Sequence, residues 1–265
     1  MKTKFLSIVL CCISFISCRN NFDAVFRVEG EKLSEVYHEK EKVQEYEYDT
    51  QNRLIVEKSR FSYHSYTYRA GKRRITQKVY LDEGVFSSSS NVATRALNRK
   101  EWVNPQNTSL YSETDYDFDV GNRLIRSEGG TGYSEYEYDI NGRIAVRKLF
   151  HEGELSGTHE YTYDGSGNLM RKDHYTISGS SGKVLSNTTE YQYDEMKNPY
   201  YRLVPEGVPG RGTSPNNVIR ELYTVYNYPT AGVDSVIDDK TYSYQYNSLG
   251  YPAERNDGVR FVYAK

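Results

Sequence analysis

Tyr136-Glu137-Tyr138-Asp139-Ile140-Asn141-Gly142-Arg143-Ile144 is the stretch whose reading decides the fold. Tyr-x-Tyr has period two, so both rings fall on one face of a strand while Glu137 points the other way. Asp139 offers its carboxylate to backbone amides two residues on and so starts a turn. Gly142 supplies the positive φ that a hairpin turn with a bulge demands. Ile144 then resumes the next strand. Arg143 is placed to pair with the turn aspartate or to lie over a tyrosine face.

The same phrase is written six more times in looser form. Tyr46-Glu47-Tyr48-Asp49 leads to Asn52-Arg53-Leu54, and Tyr66-Thr67-Tyr68-Arg69 to Gly71 and Ile75. Tyr116-Asp117-Phe118-Asp119 leads to Gly121-Asn122-Arg123-Leu124, and Tyr161-Thr162-Tyr163-Asp164 to Gly167-Asn168-Leu169. Tyr191-Gln192-Tyr193-Asp194 leads to Asn198-Pro199, and Tyr244-Gln245-Tyr246-Asn247 to Gly250 and Pro252. Spacing between copies is irregular, which argues against a solenoid of equal rungs and for a meander of unequal hairpins.

The expectation is therefore an all-β protein, an antiparallel meander of about 14–18 strands curled by its own twist into a barrel-like or long open sheet. Composition agrees. Of 265 residues 27 are tyrosine and one is tryptophan, and apolar residues total 37%, so tyrosine stands where leucine usually would and the inner face reads as amphipathic. The row alternating with the rings is Glu, Lys, Thr, Gln, Arg and Asp. A lipid-facing strand needs an apolar row there, so the sheet is not expected to be transmembrane.

The first residues have another character. Met1 to Lys4 is positive, Phe5 to Ser17 is mostly apolar, and Cys18 follows Phe15-Ile16-Ser17. This reads as a secretory signal over 1–17, too short for a permanent span. A small residue directly before the cysteine resembles the lipobox of bacterial lipoproteins, with Phe15 in place of the usual leucine. The resemblance implies that Cys18 becomes a lipidated first residue, that 18–30 is a tether, and that 31–265 is one domain. The compartment it implies is the cell envelope, as an outer-membrane lipoprotein on the periplasmic face or the cell surface, bound to the membrane through its N-terminal lipid. Cys11, Cys12 and Cys18 are the only cysteines, so no disulfides are expected. The net charge of −2 gives no support for nucleic-acid binding.

Two stretches break the rhythm. Residues 82–107 hold a serine run, a segment from Ala93 to Trp102 that reads as a short helix, and the only tryptophan. Pro205 to Asn217 is rich in Pro and Gly without periodicity and reads as a long loop. Trp102, Tyr200 and Tyr201 are the candidate ligand contacts; a lone Trp placed like Trp102 is more often a plug that packs its insertion onto the sheet than a ligand platform.

The repeat resembles the Tyr-Asp (YD) repeats of Rhs and teneurin-type shells. A second resemblance is to DUF4595, small lipoproteins of unknown function from Bacteroides-type bacteria with a porin-like β fold. It rests on the lipoprotein signal, the Tyr-x-Tyr-Asp hairpins, the Tyr193-Asp194…Asn198-Pro199-Tyr200 variant and Ser214-Pro215-Asn216-Asn217-Val218. That family implies fold and compartment, and no activity.

Catalytic signals are sparse. No Gly-x-Ser-x-Gly elbow occurs, and Gly207 to Gly212 opens no helix. His151-Glu152 and His159-Glu160 recur eight apart and make the one candidate metal pair, if opposite arms of a hairpin bring them together. Every prominent aspartate has a turn explanation. The sequence thus points to a non-enzymatic binding or scaffold module without cofactors or catalytic residues, with a polysaccharide or protein partner. An envelope glycan hydrolase and a small YD-repeat protein-interaction module are the alternatives.

Overall fold

A computed structural model describes residues 22–82, 102–178, 182–228 and 233–264. After a single helical turn, α1 (Phe22–Val25), the regular structure of the described chain is strand, apart from two 3-10 turns at Ala70–Lys72 and Arg211–Thr213. The strands are β1 (Leu33–His38), β2 (Glu41–Tyr48), β3 (Leu54–Ser59), β4 (Ser62–Arg69), β5 (Arg74–Leu81), β6 (Leu110–Phe118), β7 (Leu124–Gly129) and β8 (Gly132–Tyr138). Then come β9 (Ile144–His151), β10 (Glu154–Tyr163), β11 (Leu169–Ser178), β12 (Gly182–Lys197) and β13 (Asn216–Tyr228). The last are β14 (Val233–Thr241), β15 (Tyr244–Tyr246), β16 (Pro252–Arg255) and β17 (Val259–Tyr263).

All belong to one antiparallel sheet. Each strand from β1 to β13 pairs with its successor, β15 and β16 do the same, and β17 returns to pair with β1. The ladder thus ends at β14 and β15. These are successive stretches of one chain path, separated by Tyr242 and Ser243, and are not laddered side by side, so the sheet does not close into a barrel. Its two ends still meet there: the Tyr242 N–H donates to Ile219 O at 2.7 Å and the Asn256 N–H to Ser243 O at 2.9 Å.

The repeated phrase builds the turns as its chemistry dictates. Asp139 Oδ1 accepts from the N–H of Asn141 and of Arg143, both at 2.9 Å, while Arg143 Nε donates to Oδ2 at 2.8 Å. Asp49 and Asp119 repeat the arrangement with Arg53 and Arg123. The third residue after the carboxylate takes positive φ in every such turn: Asn52, Asn122, Gly142, Gly167 and, after Asn247, Gly250. Each of these copies also carries a register shift just before the second ring, the bulge that the turn requires. Where Arg69 replaces the aspartate, β4 and β5 pair without a shift.

A second regularity was not legible beforehand. A tyrosine hydroxyl near the end of a hairpin donates to the carbonyl of the apolar residue near that hairpin's start. Tyr48 reaches Leu33, Tyr68 Leu54, Tyr138 Leu124, Tyr163 Ile144, Tyr193 Leu169, Tyr244 Val218 and Tyr263 Pro252, at 2.6–2.8 Å. Each bolt adds about 1 kcal/mol and shuts the open end of its hairpin from the inner face. Phe118, which has no hydroxyl, stands at the equivalent place in the β5–β6 hairpin. There Phe22 and Phe26 pack edge-on against its ring at 5.5 and 5.1 Å.

The core therefore lies on the inner face, between the tyrosine rows and two non-repeat segments. Phe22, Phe26 and Val28, expected in the 18–30 tether, are buried, and so is Leu203 from the long loop. A period-two pattern gives no sign that aromatic residues ahead of β1 pack against Phe118. Outward-pointing charges pair across strands instead, as Lys58 does with Glu45 and Glu47, Arg74 with Asp115 and Asp117, and Arg171 with Asp173 and Glu190. Such exposed pairs add little stability one by one. Among the described residues no helix is long and apolar enough to cross a membrane.

Candidate functional site

The bulge decides what faces inward. After Leu54, plain alternation would turn Val56 in and Glu57 out. The extra residue reverses this, and Glu57 stands directly opposite Tyr46, a core ring. The same offset recurs three residues after the apolar strand starter. Ser127 faces Tyr116, Arg147 faces Tyr136, Lys172 faces Tyr161, Glu221 faces Tyr191 and Arg255 faces Tyr244. One residue per hairpin thus projects from the wall at the same level as the first tyrosine.

Residues 198–215 occupy the space beneath this ring. Asn198 Nδ2 donates to the carbonyls of Arg211 (2.7 Å) and Ser214 (2.8 Å), and Ser214 Oγ donates to Tyr193 Oη at 2.9 Å. The loop is thereby folded into the sheet as a plug. Between plug and wall lies a cavity of about 430 Å³, lined among others by Tyr46, Glu57, Tyr200, Arg211, Tyr242 and Arg255. Arg211 pairs with Glu221 and donates to Tyr242 Oη at 3.0 Å. Arg255 lies 4.7 Å over the Tyr242 ring. Among the described residues no arginine pairs with Glu57, and burial pushes its carboxyl up to about 6.

Glu206, on the plug, is the odd group. Its Oε2 is buried without a hydrogen-bond partner. Burial above all, and then the Glu57 charge, push it up to about 7. Neither carboxylate was among the sequence candidates. Glu57 was hidden by the bulge and Glu206 by an aperiodic loop; the only available signal was the position three residues after each strand starter.

The sequence candidates fare differently. Tyr200 lines the cavity, its ring 6.1 Å from that of Phe261, and burial holds its hydroxyl well above the usual range. Tyr201 is on the surface, beneath the guanidinium of Arg202. Trp102 does not line this cavity. It lies under the Lys42 ammonium at 5.6 Å, next to buried Val103, whose N–H meets Ser59 O at 3.5 Å. Cys18 and nearly all of the expected 93–102 helix lie outside the described residues. The proposed His151–His159 pair does not form. The turn at Glu152 and Gly153 sets Glu154 opposite His151, and this places His159 opposite Arg147 and His174. No group of three or more His, Cys, Asp or Glu disposed to hold a metal occurs among the described residues.

No family model matches the sequence, and no curated protein matches it. The DUF4595 and YD resemblances thus rest on the residues quoted above. Several solved structures are similar in build. A porin-like protein from Bacteroides vulgatus is 12% identical over 88% of this chain and 99% of its own, with a TM-score of 0.45. A porin-like protein from Bacteroides uniformis is 9% identical over 88% and 98%, with a TM-score of 0.42. A DUF3836 family protein from Parabacteroides distasonis is 17% identical over 41% and 91%, with a TM-score of 0.24.

Proposed function

We propose that this protein is a lipid-anchored binding module of the cell envelope whose inner face takes a polar, ring-bearing ligand of the glycan class. The anchor rests on the Phe5–Ser17 apolar run and Cys18. The observation that carries the binding reading is the cavity above the plug. It combines tyrosine rings with amide, carboxylate and guanidinium groups drawn from wall and plug. Flat aromatic faces stack on sugar rings, and fixed polar groups read the hydroxyls around them.

The test is a thermal-shift screen of the soluble chain from Asn20 against polysaccharide and peptidoglycan fragments. A ligand bound only by the folded state at a hundred times its Kd adds about 2.7 kcal/mol. A shift with one glycan class that Tyr200→Ala abolishes and Trp102→Ala leaves intact supports this site. A flat screen on folded protein overturns it and favours a protein partner.

A second reading, an envelope glycan hydrolase, draws on Glu57 and Glu206, two interior carboxyls raised by burial, as a general acid must be. It requires that Glu57→Gln and Glu206→Gln each abolish cleavage of whichever glycan binds. Binding without cleavage by the unaltered protein removes this reading.

A further inference from the structure

Away from the cavity, the inner face carries a row that neither turns nor plug use. Arg147 on β9, His159 on β10, His174 on β11 and Asn187 on β12 are direct register partners, one after the next. They form a line across four strands on one face. Lys172 stands on the same face, opposite Tyr161 and Thr189.

The row is organised. Arg147 Nε donates to Ser134 Oγ at 3.0 Å, and its guanidinium lies 5.9 Å from the centre of the Tyr136 ring. The His159 and His174 rings meet edge-on at 4.6 Å. His174 Nδ1 is 3.0 Å from Asn187 Nδ2, and His159 Nδ1 is 3.4 Å from Tyr161 Oη.

What the row lacks is a counter-charge. On the outer face of the same strands Lys148 pairs with Glu137, Arg171 with Asp173 and Glu190, and Lys183 with Glu160. Among the described residues no carboxylate forms an ion pair with Arg147 or Lys172. The nearest acidic influence on Lys172 is Glu221, which Arg211 already holds. Burial, and then the neighbouring His174, Arg147 and Lys172, push His159 down to about 3, so the histidines add donors and acceptors but no charge at neutral pH. Arg147, His159, Lys172 and His174 are each half-buried. Two half-buried cations with no ion-pair partner among the described residues, flanked by neutral hydrogen-bonding rings, form a receptor for anionic oxygen.

We propose that Arg147, His159, Lys172 and His174 bind the acidic group of the ligand, so that the glycan taken by this protein bears a carboxylate or a sulfate. This rests on the glycan reading above and narrows it.

The experiment titrates the purified protein with a trigalacturonate, its neutral methyl ester, a sulfated disaccharide and inorganic sulfate. Calorimetry reads affinity, and the His159 and His174 imidazole resonances read location. The expected result is at least about tenfold tighter binding of one acidic sugar than of the neutral ester, weakening with salt. Arg147→Gln and Lys172→Gln should each remove about tenfold from acidic binding and so narrow the gap between acid and ester, while Lys172→Arg keeps it. The choice between uronate and sulfated sugar tells carboxylate from sulfate. Equal affinity for acid and ester, or acidic binding indifferent to both Gln variants, overturns this inference and spares the glycan reading. Imidazole shifts with sulfate but with no sugar keep the anion site and overturn the glycan reading. Silence from all four ligands overturns both.

Discussion

At Asp139 the chain reverses within four residues; at Asp194 it takes twenty-three, yet the two turns share one skeleton. Asp139 Oδ1 holds the N–H of Asn141 and of Arg143. Asp194 Oδ1 holds the N–H of Met196 at 2.9 Å and then, across the whole plug, that of Asn217 at 3.1 Å. Val218 resumes the strand as Ile144 does, and the Tyr193 and Tyr244 bolts flank it in the usual way. Where Arg143 Nε meets the second carboxylate oxygen of Asp139, the Tyr246 hydroxyl meets that of Asp194. A turn fixed by side-chain bonds to two amides can therefore be opened between those amides and refilled. The repeat makes the wall, and the one interrupted copy supplies what fills it.

The largest test of this contrast removes the filling. Replacing residues 195–217 by Ile-Asn-Gly-Arg restores the short turn. Strand content by circular dichroism should persist, while stability falls by at least about 5 kcal/mol, because Tyr200 and Leu203 each leave a core void. A chain that no longer forms strands would show that wall and plug fold as one unit. Next comes Leu169→Ala. This wall residue is fully buried, and its loss should cost about 2–5 kcal/mol in denaturant unfolding.

The plug also sets a pH dependence, to which one residue of the wall adds. Glu206 sits near 7 in the folded protein against an ordinary 4.5, so the folded state favours its protonated form. That contribution is fully present below pH 4.5 and is lost as pH rises through about 7; Glu57, near 6, adds the same sign. Glu206→Gln should flatten the decline in stability between pH 5 and 8 and stabilise the protein at pH 8 by on the order of 2–3 kcal/mol. An unchanged profile would mean that this carboxyl is solvated.

Smaller effects probe single copies of the wall. Asp139→Ala removes two amide bonds and the Arg143 pair and should cost about 1–2 kcal/mol. The same change at Asp194 should cost more, since the plug's closure depends on it. Tyr163→Phe removes one bolt while keeping the ring, and should cost about 1 kcal/mol by thermal melting.

Most of the wall was legible because its determinants are local. Tyr-x-Tyr fixes the face, Asp fixes the turn, and Gly or Asn at the third place fixes the sign of φ. Two features at the same turns were not. The bolt from Tyr163 to Ile144 joins residues nineteen apart, and Phe261-Val262-Tyr263 completes the set without any turn aspartate to mark it. The His151 and His159 expectation failed on register alone, since turn length decides which residues stand opposite.

By itself, then, the sequence determined an antiparallel all-β meander, the place of nearly every hairpin and the polarity of its outer face, because each depends on period-two alternation and short-range hydrogen bonds. Only the tertiary structure decided which charges look inward. One bulged residue per copy exchanges the faces, which brings Glu57, Arg147, Lys172 and Arg255 to the rings opposite and leaves Val56 behind. It also decided that Phe22, Phe26 and the 198–215 loop fold into the sheet. Burial of apolar surface joins segments far apart in sequence whenever one leaves a gap that the other fits, and no local pattern announces the match.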